Sequence, residues 1–478
     1  MKRIINVINN NKYFIINSII PFIVFLIIFL LYYPGIVSYD GANQWQQVQT
    51  GIISDSHPFF STFFMYILSK IHNSIGIVLL FQMCVFSLFW GYFCSLIKTN
   101  TKMEIVKIVF TFLISLLPII SLYSITLWKD ILYTYYLFML GVMLFKGIKI
   151  DFNYKIYDYI IFGILLFLIN SYRHNAIVVV ALFSLLIFIM LIKSKRIKDI
   201  KYMKNVFLGV ATFIILTIII SIPKSYYLSK STKINNSKQT KEELESKVPL
   251  KTNYVLWMLA AHIKDGNITD KKDVKILRNV LDFKTWKEIY NPYLINTITA
   301  SDKINGKYVN NNSDKIFNIF IKNTIRHPGT IIIHYLKSDA LLINPVSQKY
   351  GYIYIYNFSE YDPYGFDAIT SSKNRYLQKK YDVLINYSMR SPFKYLYQPA
   401  FMLYLSIILL IILSKKVYNK KIYLFAVPMI FNTASLLPIN LAQDLRYVYI
   451  NFITFFAILL LFVINYKKIF VKKKKKMK

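Results

Sequence analysis

The sequence predicts an all-α polytopic membrane protein, with about ten transmembrane helices and a large, mostly helical extracytoplasmic domain. The first indication is composition, since 55% of the 478 residues are hydrophobic and 17% are charged, whereas soluble domains carry about 25% charged residues. The second is the distribution of the basic residues behind the net charge of +35, which lie in short clusters between apolar runs. Nucleic-acid binding needs such residues gathered on one folded surface, so their spacing favours membrane topology instead.

Ten apolar stretches are candidates for crossing the hydrocarbon core, which takes about 20 mostly apolar residues in a helix. None of them alternates like a barrel strand, so we predict helices. No small-residue cleavage site follows the first stretch, and we therefore expect it to be retained as a spanning helix. The predicted spans are 14–33, 75–97, 105–123, 131–148, 157–171, 175–192, 205–222, 398–414, 422–438 and 447–465.

Lysine and arginine counts predict the orientation of these spans. With the amino terminus in the cytoplasm, the cytoplasmic connections and tails hold 27 basic residues. The short connections on the other side hold Lys70, Lys129, Arg173 and Arg446. Cytoplasmic loops are the ones that carry excess basic residues. The sequence thus predicts a multi-pass protein of the cell membrane with both termini in the cytoplasm.

Three regions follow from this topology. Residues 1–222 form an amino-terminal transmembrane module whose first outer loop is 34–74, residues 223–397 an extracytoplasmic soluble domain, and residues 398–478 the last helices and a basic cytoplasmic tail. Apolar spacing in the soluble domain predicts helices over 241–248, 252–264 and 313–325. The His-Pro-Gly of 327–329 breaks the last of these before another apolar stretch, 330–343. Alternation over 350–358 predicts a short strand.

The short predicted outer loops contain most of the chemically active side chains outside the soluble domain. We predict that these loops lie close together where the helices end, and that their acids, bases and aromatics form one site. They contribute Tyr39, Asp40, Trp45, Asp55, His57, Lys129, Asp130, Arg173, His174, Asp444 and Arg446.

Each of these residues also has an ordinary interpretation as a helix cap or a topology anchor. Asp130 fits an N-cap of the fourth predicted span, Asp444 and Arg446 fit a local ion pair, and His174 fits a packing role. The spanning segments contain almost no ionisable residue. An ion-coupled transporter places such residues near the bilayer midplane, so a transporter or flippase is the less favoured class.

The loop chemistry suits transfer of a group, such as a sugar, from a lipid phosphate. A carboxylate can act as a general base on a hydroxyl or hold a metal ion, and cations at the same level can neutralise a departing phosphate. Tyr39, Trp45 and Trp128 can stack on the apolar face of a sugar. Nucleotide sugars are not available outside the cell, so a lipid carrier would supply the donor.

The stretch SYDGANQWQQVQTGIISDSHPFF, over 38–60, resembles the first outer loop of the GT-C superfamily of polytopic glycosyltransferases. That superfamily includes protein O-mannosyltransferases and bacterial aminoarabinose transferases. Its members place an acidic residue, often as Asp-Glu, soon after helix one, and many carry a D-x-H-P-P-L-like motif later in the same loop. Asp40 stands at the first position here, and Asp55-Ser56-His57-Pro58 at the second.

The resemblance implies that Asp40 is the catalytic carboxylate and that Asp55 and His57 shape the acceptor site. If a divalent metal ion is present, these three residues are its expected ligands. Lys129, Arg173 and Arg446 are candidates for binding a polyprenyl-phosphate sugar donor, with transfer to an extracytoplasmic glycan, lipid or protein. The sequence departs from the pattern at Gly41, where a second acid is usual, and at Phe59, where a second proline is usual.

One alternative within the same chemistry stays open. An envelope polysaccharide polymerase or ligase also acts on lipid-linked glycans, but its donor is an oligosaccharide on a pyrophosphate.

Overall fold

The structure is a computed structural model that describes residues 2–238, 246–346, 372–390 and 393–470. It is 79% helical, which confirms the all-α class. The helices in the first half of the chain are α1 (Lys2–Leu31), α2 (Tyr39–Thr50), α3 (Phe59–Ser69), α4 (Ile75–Leu96), α5 (Thr101–Leu116), α6 (Pro118–Ser124), α7 (Lys129–Lys149), α8 (Ile156–Tyr172), α9 (Ala176–Lys193) and α10 (Ile200–Lys238). Those in the middle are α11 (Leu250–Lys264), α12 (Lys271–Val280), α13 (Phe283–Ile289), α14 (Asn296–Thr299), α15 (Gly306–Asn311), α16 (Ser313–Arg326), α17 (Pro328–Ser338) and α18 (Ala340–Ile343). The last are α19 (Ser372–Ser388), α20 (Pro399–Lys416), α21 (Val427–Leu436), α22 (Ile450–Ile464) and α23 (Tyr466–Phe470).

Four short 3-10 helices and one pair of two-residue strands complete the described elements. The 3-10 helices are Arg196–Lys198, Phe393–Tyr397, Lys420–Ala426 and Leu445–Val448. The strands are β1 (Ile36–Val37) and β2 (Thr126–Leu127).

Six described helices are long and apolar enough to cross a membrane, which supports an all-α membrane protein. They become seven if α5 and α6, which meet at a 70° bend, count as one span. The bend falls at Pro118, where a proline lacks the backbone N–H that would continue the helix. Each of the ten predicted spans lies largely on helix, but α8, α21 and α22 are shorter than 18 residues, so ten crossings remain a prediction. The six helices are α4, α7, α9, α10, α20 and the part of α1 from Asn11.

The apolar helices α7 and α10 differ in their surroundings, since the protein encloses α7 and leaves α10 uncovered. The apolar window of α7 is 89% buried within the protein, whereas that of α10 is 0% buried. An apolar helix enclosed on all sides belongs to a core. An apolar helix that no other part of the protein covers can lie in the hydrocarbon core of a membrane, since its backbone hydrogen bonds are internal. The uncovered face of α10 is therefore the surface best suited to lipid contact.

The described chain divides into two compact units. The first comprises residues 2–230, 372–390, 393–435 and 446–470, and the second comprises 231–238, 246–346 and 436–445. The sequence places the start of the soluble domain at 223, whereas α10 continues without a break to Lys238. The short segment 436–445 also belongs to the second unit, where Ile295 N donates to Leu441 O at 2.9 Å.

The second unit has its own apolar core around Trp257 and Trp286, which are fully buried. The predicted helices over 252–264 and 313–325 coincide with α11 and α16, and the His-Pro-Gly break is confirmed because α17 begins at Pro328. The predicted strand over 350–358 lies outside the described residues, as does most of the predicted helix over 241–248. The helical character is thus confirmed for the described part, and the side of the membrane remains a prediction.

The strands β1 and β2 pair in parallel, with Ile36 opposite Thr126 and Val37 opposite Leu127. Each strand leads within two residues into a helix, β1 into α2 and β2 into α7. The parallel direction therefore brings the amino-terminal ends of α2 and α7 side by side. The hydroxyl of Ser38 caps α2 by accepting a hydrogen bond from Gly41 N at 3.1 Å.

Gly41 is where α2 makes its closest approach to the strand beside it. A Cβ atom at this position would lie 2.2 Å from the backbone oxygen of Leu127. Glycine is therefore required for close backbone contact, and this accounts for the absence of a second acid after Asp40.

Replacing Gly41 tests this packing. We expect Gly41→Ala to destabilise the protein by about 1–3 kcal/mol, the usual cost of overpacking, because the atom in the way is backbone. The measurement is the midpoint of thermal unfolding of detergent-solubilised protein. Gly329→Ala is the matched control, since nothing lies within 4 Å of its Cβ. Equal midpoints for the two variants would contradict the assignment.

Candidate catalytic site

Six of the predicted site residues lie together in the first unit, and we call them the cation–carboxylate cluster: Asp40, His57, Lys129, Asp130, Arg173 and Arg446. They come from five places in the chain. Asp40 lies in the first turn of α2, and Lys129 and Asp130 begin α7. Arg173 follows α8, Arg446 lies in the 3-10 helix Leu445–Val448, and His57 precedes α3.

Asp130 is the buried carboxylate of the cluster, with 1% of its surface exposed. Its Oδ1 atom lies 3.1 Å from Arg173 Nε. Its Oδ2 atom lies 3.8 Å from Lys129 Nζ and 4.0 Å from Arg446 Nε, and accepts no hydrogen bond from the described residues. A buried carboxylate is stable only when it is paired, so Asp130 is the counter-charge that holds the three cations together.

Asp40 is the more open carboxylate, with 29% of its side chain exposed. Arg446 Nη1 donates to its Oδ2 atom at 2.6 Å. Burial acts to raise the pKa of Asp40, but the positive charges of Arg446 and Lys129 outweigh it and lower the pKa to about 2. Asp40 is therefore ionised at neutral pH and strongly held by its arginine.

His57 lies beside Lys129, with 3.5 Å between Nδ1 and the lysine Nζ. Burial, together with the positive charge of Lys129, lowers the pKa of His57 to about 4. The imidazole is therefore neutral at pH 7. The turn that carries His57 is fixed by Asp55, whose Oδ1 atom accepts a hydrogen bond from Phe59 N at 3.0 Å.

The cluster favours an anion. Three cations and two carboxylates leave one net positive charge, since His57 is neutral. The amino-terminal ends of α2 and α7 add the positive ends of two helix dipoles at the same place. Helix amino termini with adjacent cations are common phosphate sites. The arrangement can therefore bind a phosphate beside a carboxylate.

Two tyrosines and an asparagine fix the orientation of Arg173, and none of the three is among the site residues predicted from the sequence. The guanidinium lies 5.3 Å from the ring centroid of Tyr133 and 4.9 Å from that of Tyr447, and Nη1 donates to Tyr447 O at 3.3 Å. Asn432 accepts from the Tyr133 hydroxyl and donates to Tyr447 O, both at 2.9 Å. The sequence feature that could have identified these residues is Asn432, a polar residue within the apolar segment 422–438.

Asp55 and His174 lie in a second group of contacts. Asp55 forms an ion pair with Lys224 at 2.9 Å, and both side chains are partly exposed. His174 has a hydrogen bond with the backbone of Asp55, and its pKa is lowered mainly by burial. Asp55 thus supports the turn before α3, while its predicted contribution to the acceptor site remains a prediction.

The remaining predicted residues differ in exposure. Tyr39 is 59% exposed and can reach a ligand, whereas Trp45 is 4% exposed and packs on the buried side of α2. Stacking of Trp45 on a sugar would need α2 to move. Trp128 is also buried, and its ring lies against the guanidinium of Arg446, 5.3 Å from centroid to Cζ. Asp444 belongs to the second unit.

A metal ion does not fit the charges present at Asp40 and His57. Both residues face cations, Arg446 and Lys129 respectively, and Asp55 is paired with Lys224. Among the described residues, no group of three or more His, Cys, Asp or Glu side chains is arranged to hold a metal ion. We therefore derive no step through a metal.

Comparisons with protein-family models, with curated proteins and with solved structures give no match for this chain.

Proposed function

We propose that the chain is an integral membrane glycosyltransferase that moves a sugar from a polyprenyl-phosphate carrier to an extracytoplasmic acceptor of the cell envelope, a glycan, lipid or protein. The observation that carries the proposal is the cation–carboxylate cluster at the paired amino-terminal ends of α2 and α7. The cluster combines phosphate-binding cations with an accessible carboxylate, and an apolar helix without protein cover belongs to the same unit.

The charges match those of a lipid phosphodiester. A polyprenyl-phosphate sugar carries one negative charge, and the cluster carries one net positive charge. Transfer of the sugar leaves polyprenyl phosphate, which gains a second negative charge as the bond breaks. Cations already in place stabilise charge that develops in a transition state. Lys129, Arg173 and Arg446 are therefore assigned to the donor phosphate.

Asp40 is assigned to the acceptor. In the proposed step its carboxylate takes the proton of an acceptor hydroxyl as the hydroxyl oxygen bonds to the anomeric carbon of the sugar. The bond between that carbon and the phosphate oxygen breaks, and its electron pair goes to the phosphate. A positioned general base contributes about 10²–10⁴-fold to such a step.

The test uses purified protein in proteoliposomes with a panel of undecaprenyl-phosphate hexoses and pentoses and an envelope extract as acceptor. Release of undecaprenyl phosphate and labelling of the extract, both measured by mass spectrometry, are the expected result. Turnover only of a pyrophosphate-linked oligosaccharide would assign the chain to the polymerases or ligases. Movement of the lipid between leaflets without covalent change would assign it to the flippases.

Lys129 offers a clean test of donor binding, because its closest partners in the cluster are 3.5 Å or more away. We expect Lys129→Gln to raise the KM for the donor by about 10–100-fold, the value of a hydrogen bond to a charged group, and to leave the KM for the acceptor unchanged. Initial rates at varied donor and acceptor concentrations measure both constants. Lys70→Gln is the control, since Lys70 packs over the ring of Tyr66. A donor KM equal to that of the control would remove Lys129 from the phosphate site.

A further inference from the structure

A groove of about 590 Å³ opens on the second unit along residues 288–297. Tyr290, Asn291 and Tyr293 line it, together with Thr297 and Glu288. All of these residues belong to one unit and lie between α13 and α14 or at their ends. None of them has a role in the cation–carboxylate cluster.

The groove is held rigid by buried groups beneath it. Trp257, which is fully buried, donates from Nε1 to Asn291 O at 2.7 Å. The side-chain oxygen of Asn291 accepts a hydrogen bond from Tyr293 N at 2.9 Å. The hydroxyl of Tyr290 is hydrogen-bonded to Nδ1 of His334 at 2.8 Å, and this histidine is also buried. A surface fixed in this way loses little conformational entropy when it binds a ligand.

The charges of the groove lining exclude anionic ligands, which the net positive charge of the chain would otherwise attract. The chain carries a net charge of +35, yet the described residues that line the groove include one carboxylate, Glu288, and no cation. A phosphate, an acidic polymer or an anionic lipid headgroup therefore finds no counter-charge there. The groove selects for a neutral or weakly basic ligand.

The uncharged side chains of the groove lining combine aromatic rings with amide and hydroxyl groups. Tyr290 and Tyr293 are both partly exposed, so each ring has surface available to a ligand. Aromatic rings bind apolar faces. The amide nitrogen of Asn291 can donate hydrogen bonds, and the hydroxyl of Thr297, which donates to Leu294 O at 3.1 Å, can accept one. A pyranose ring has both features, an apolar C–H face and a rim of hydroxyl groups. Ligand sites in general pair apolar walls with a few placed polar groups.

We propose that this groove binds a neutral oligosaccharide. Its role as the docking site of a glycan acceptor rests on the proposed function, whereas glycan binding itself does not. With the groove as its docking site, the acceptor of the proposed reaction is an uncharged glycan and not a lipid or a protein.

The experiment is binding of the full-length, detergent-solubilised protein to an array of neutral and uronic-acid oligosaccharides, without any donor lipid. The expected result is retention on neutral members and a tenfold or greater loss of affinity in Tyr293→Ala. Thr297→Trp, which fills the groove from its rim, is expected to show the same loss. Phe317→Ala is the control, because Phe317 is an exposed aromatic residue of the same unit outside the groove.

Three results would overturn the inference. They are no retention on any neutral oligosaccharide, preference for the acidic members, and retention unaffected by Thr297→Trp in protein that unfolds at the wild-type temperature. Wild-type protein separates the two proposals, because its glycan binding on the array and its sugar transfer in proteoliposomes are measured independently. Glycan binding by wild-type protein that transfers no sugar would remove the proposed function and leave the groove assigned.

Discussion

Asp40→Asn is expected to lower the rate of sugar transfer by about 10²–10⁴-fold, the contribution of a positioned general base. The substitution keeps the shape of the side chain and removes its capacity to take a proton. Because Asp40 is partly exposed, we expect expression, membrane insertion and the unfolding temperature to stay close to wild type. The measurement is the initial rate of transfer at saturating donor in proteoliposomes.

Asp151→Asn is the matched control for this variant. Asp151 forms an exposed ion pair with Lys421 at 2.7 Å, and its backbone φ of 49° is one that asparagine tolerates. Its transfer rate should equal that of wild type. Full activity in Asp40→Asn would remove this carboxylate from the mechanism and leave it as a partner of Arg446.

Asp130→Asn is expected to destabilise the protein by about 3–5 kcal/mol, the cost of removing one member of a buried ion pair. Asp130 is the counter-charge of Arg173 at 3.1 Å and lies within 4.0 Å of two more cations. Neutralising it leaves three positive charges with Asp40 as the one remaining carboxylate of the cluster. Thermal unfolding of detergent-solubilised protein, followed by tryptophan fluorescence, measures the change.

Asp55→Asn provides the comparison for Asp130. Its ion pair with Lys224 is partly exposed on both sides, and such pairs contribute about 1 kcal/mol or less. An Asp130→Asn protein that unfolds at the same temperature as Asp55→Asn would show that Asp130 does not hold the cluster together.

The helices and most of the site were predictable from the sequence for related reasons. Apolar runs without alternation have to be helices in lipid, and all ten predicted runs lie largely on helix. Polar residues that flank the ends of such helices on one side lie at the same depth relative to the membrane. Asp40, Lys129, Arg173 and Arg446 accordingly lie in one cluster although they are far apart in the chain.

Other parts of the site depend on helical spacing within α2 or on contacts between distant residues. The sequence prediction places Trp45 in a loop, yet Ala42, Trp45 and Val48 recur at helical spacing and form the buried side of α2. At Gly41 the sequence shows only that an acid is missing, because the contact of Gly41 with Leu127 exists only once β1 and β2 have paired. The separation of Asp55 from the cluster depends on its pairing with Lys224 of α10, which no local pattern indicates.

In the proposed glycosyltransferase, the hydrogen bond between Arg446 and Asp40 would make Asp40 a weak base before the donor binds. While the arginine holds Asp40, the carboxylate has a pKa of about 2 and scarcely attracts a proton. A donor phosphate that took over Arg446 would remove the largest of the charges that lower this pKa and add a negative charge beside Asp40, and both changes would raise its basicity. Under the proposed function, binding of the donor would therefore activate Asp40 by breaking its ion pair with Arg446. In the proposed mechanism, Asp40 would not activate water or other hydroxyl groups before the donor has bound, and this would protect the lipid-linked sugar from hydrolysis.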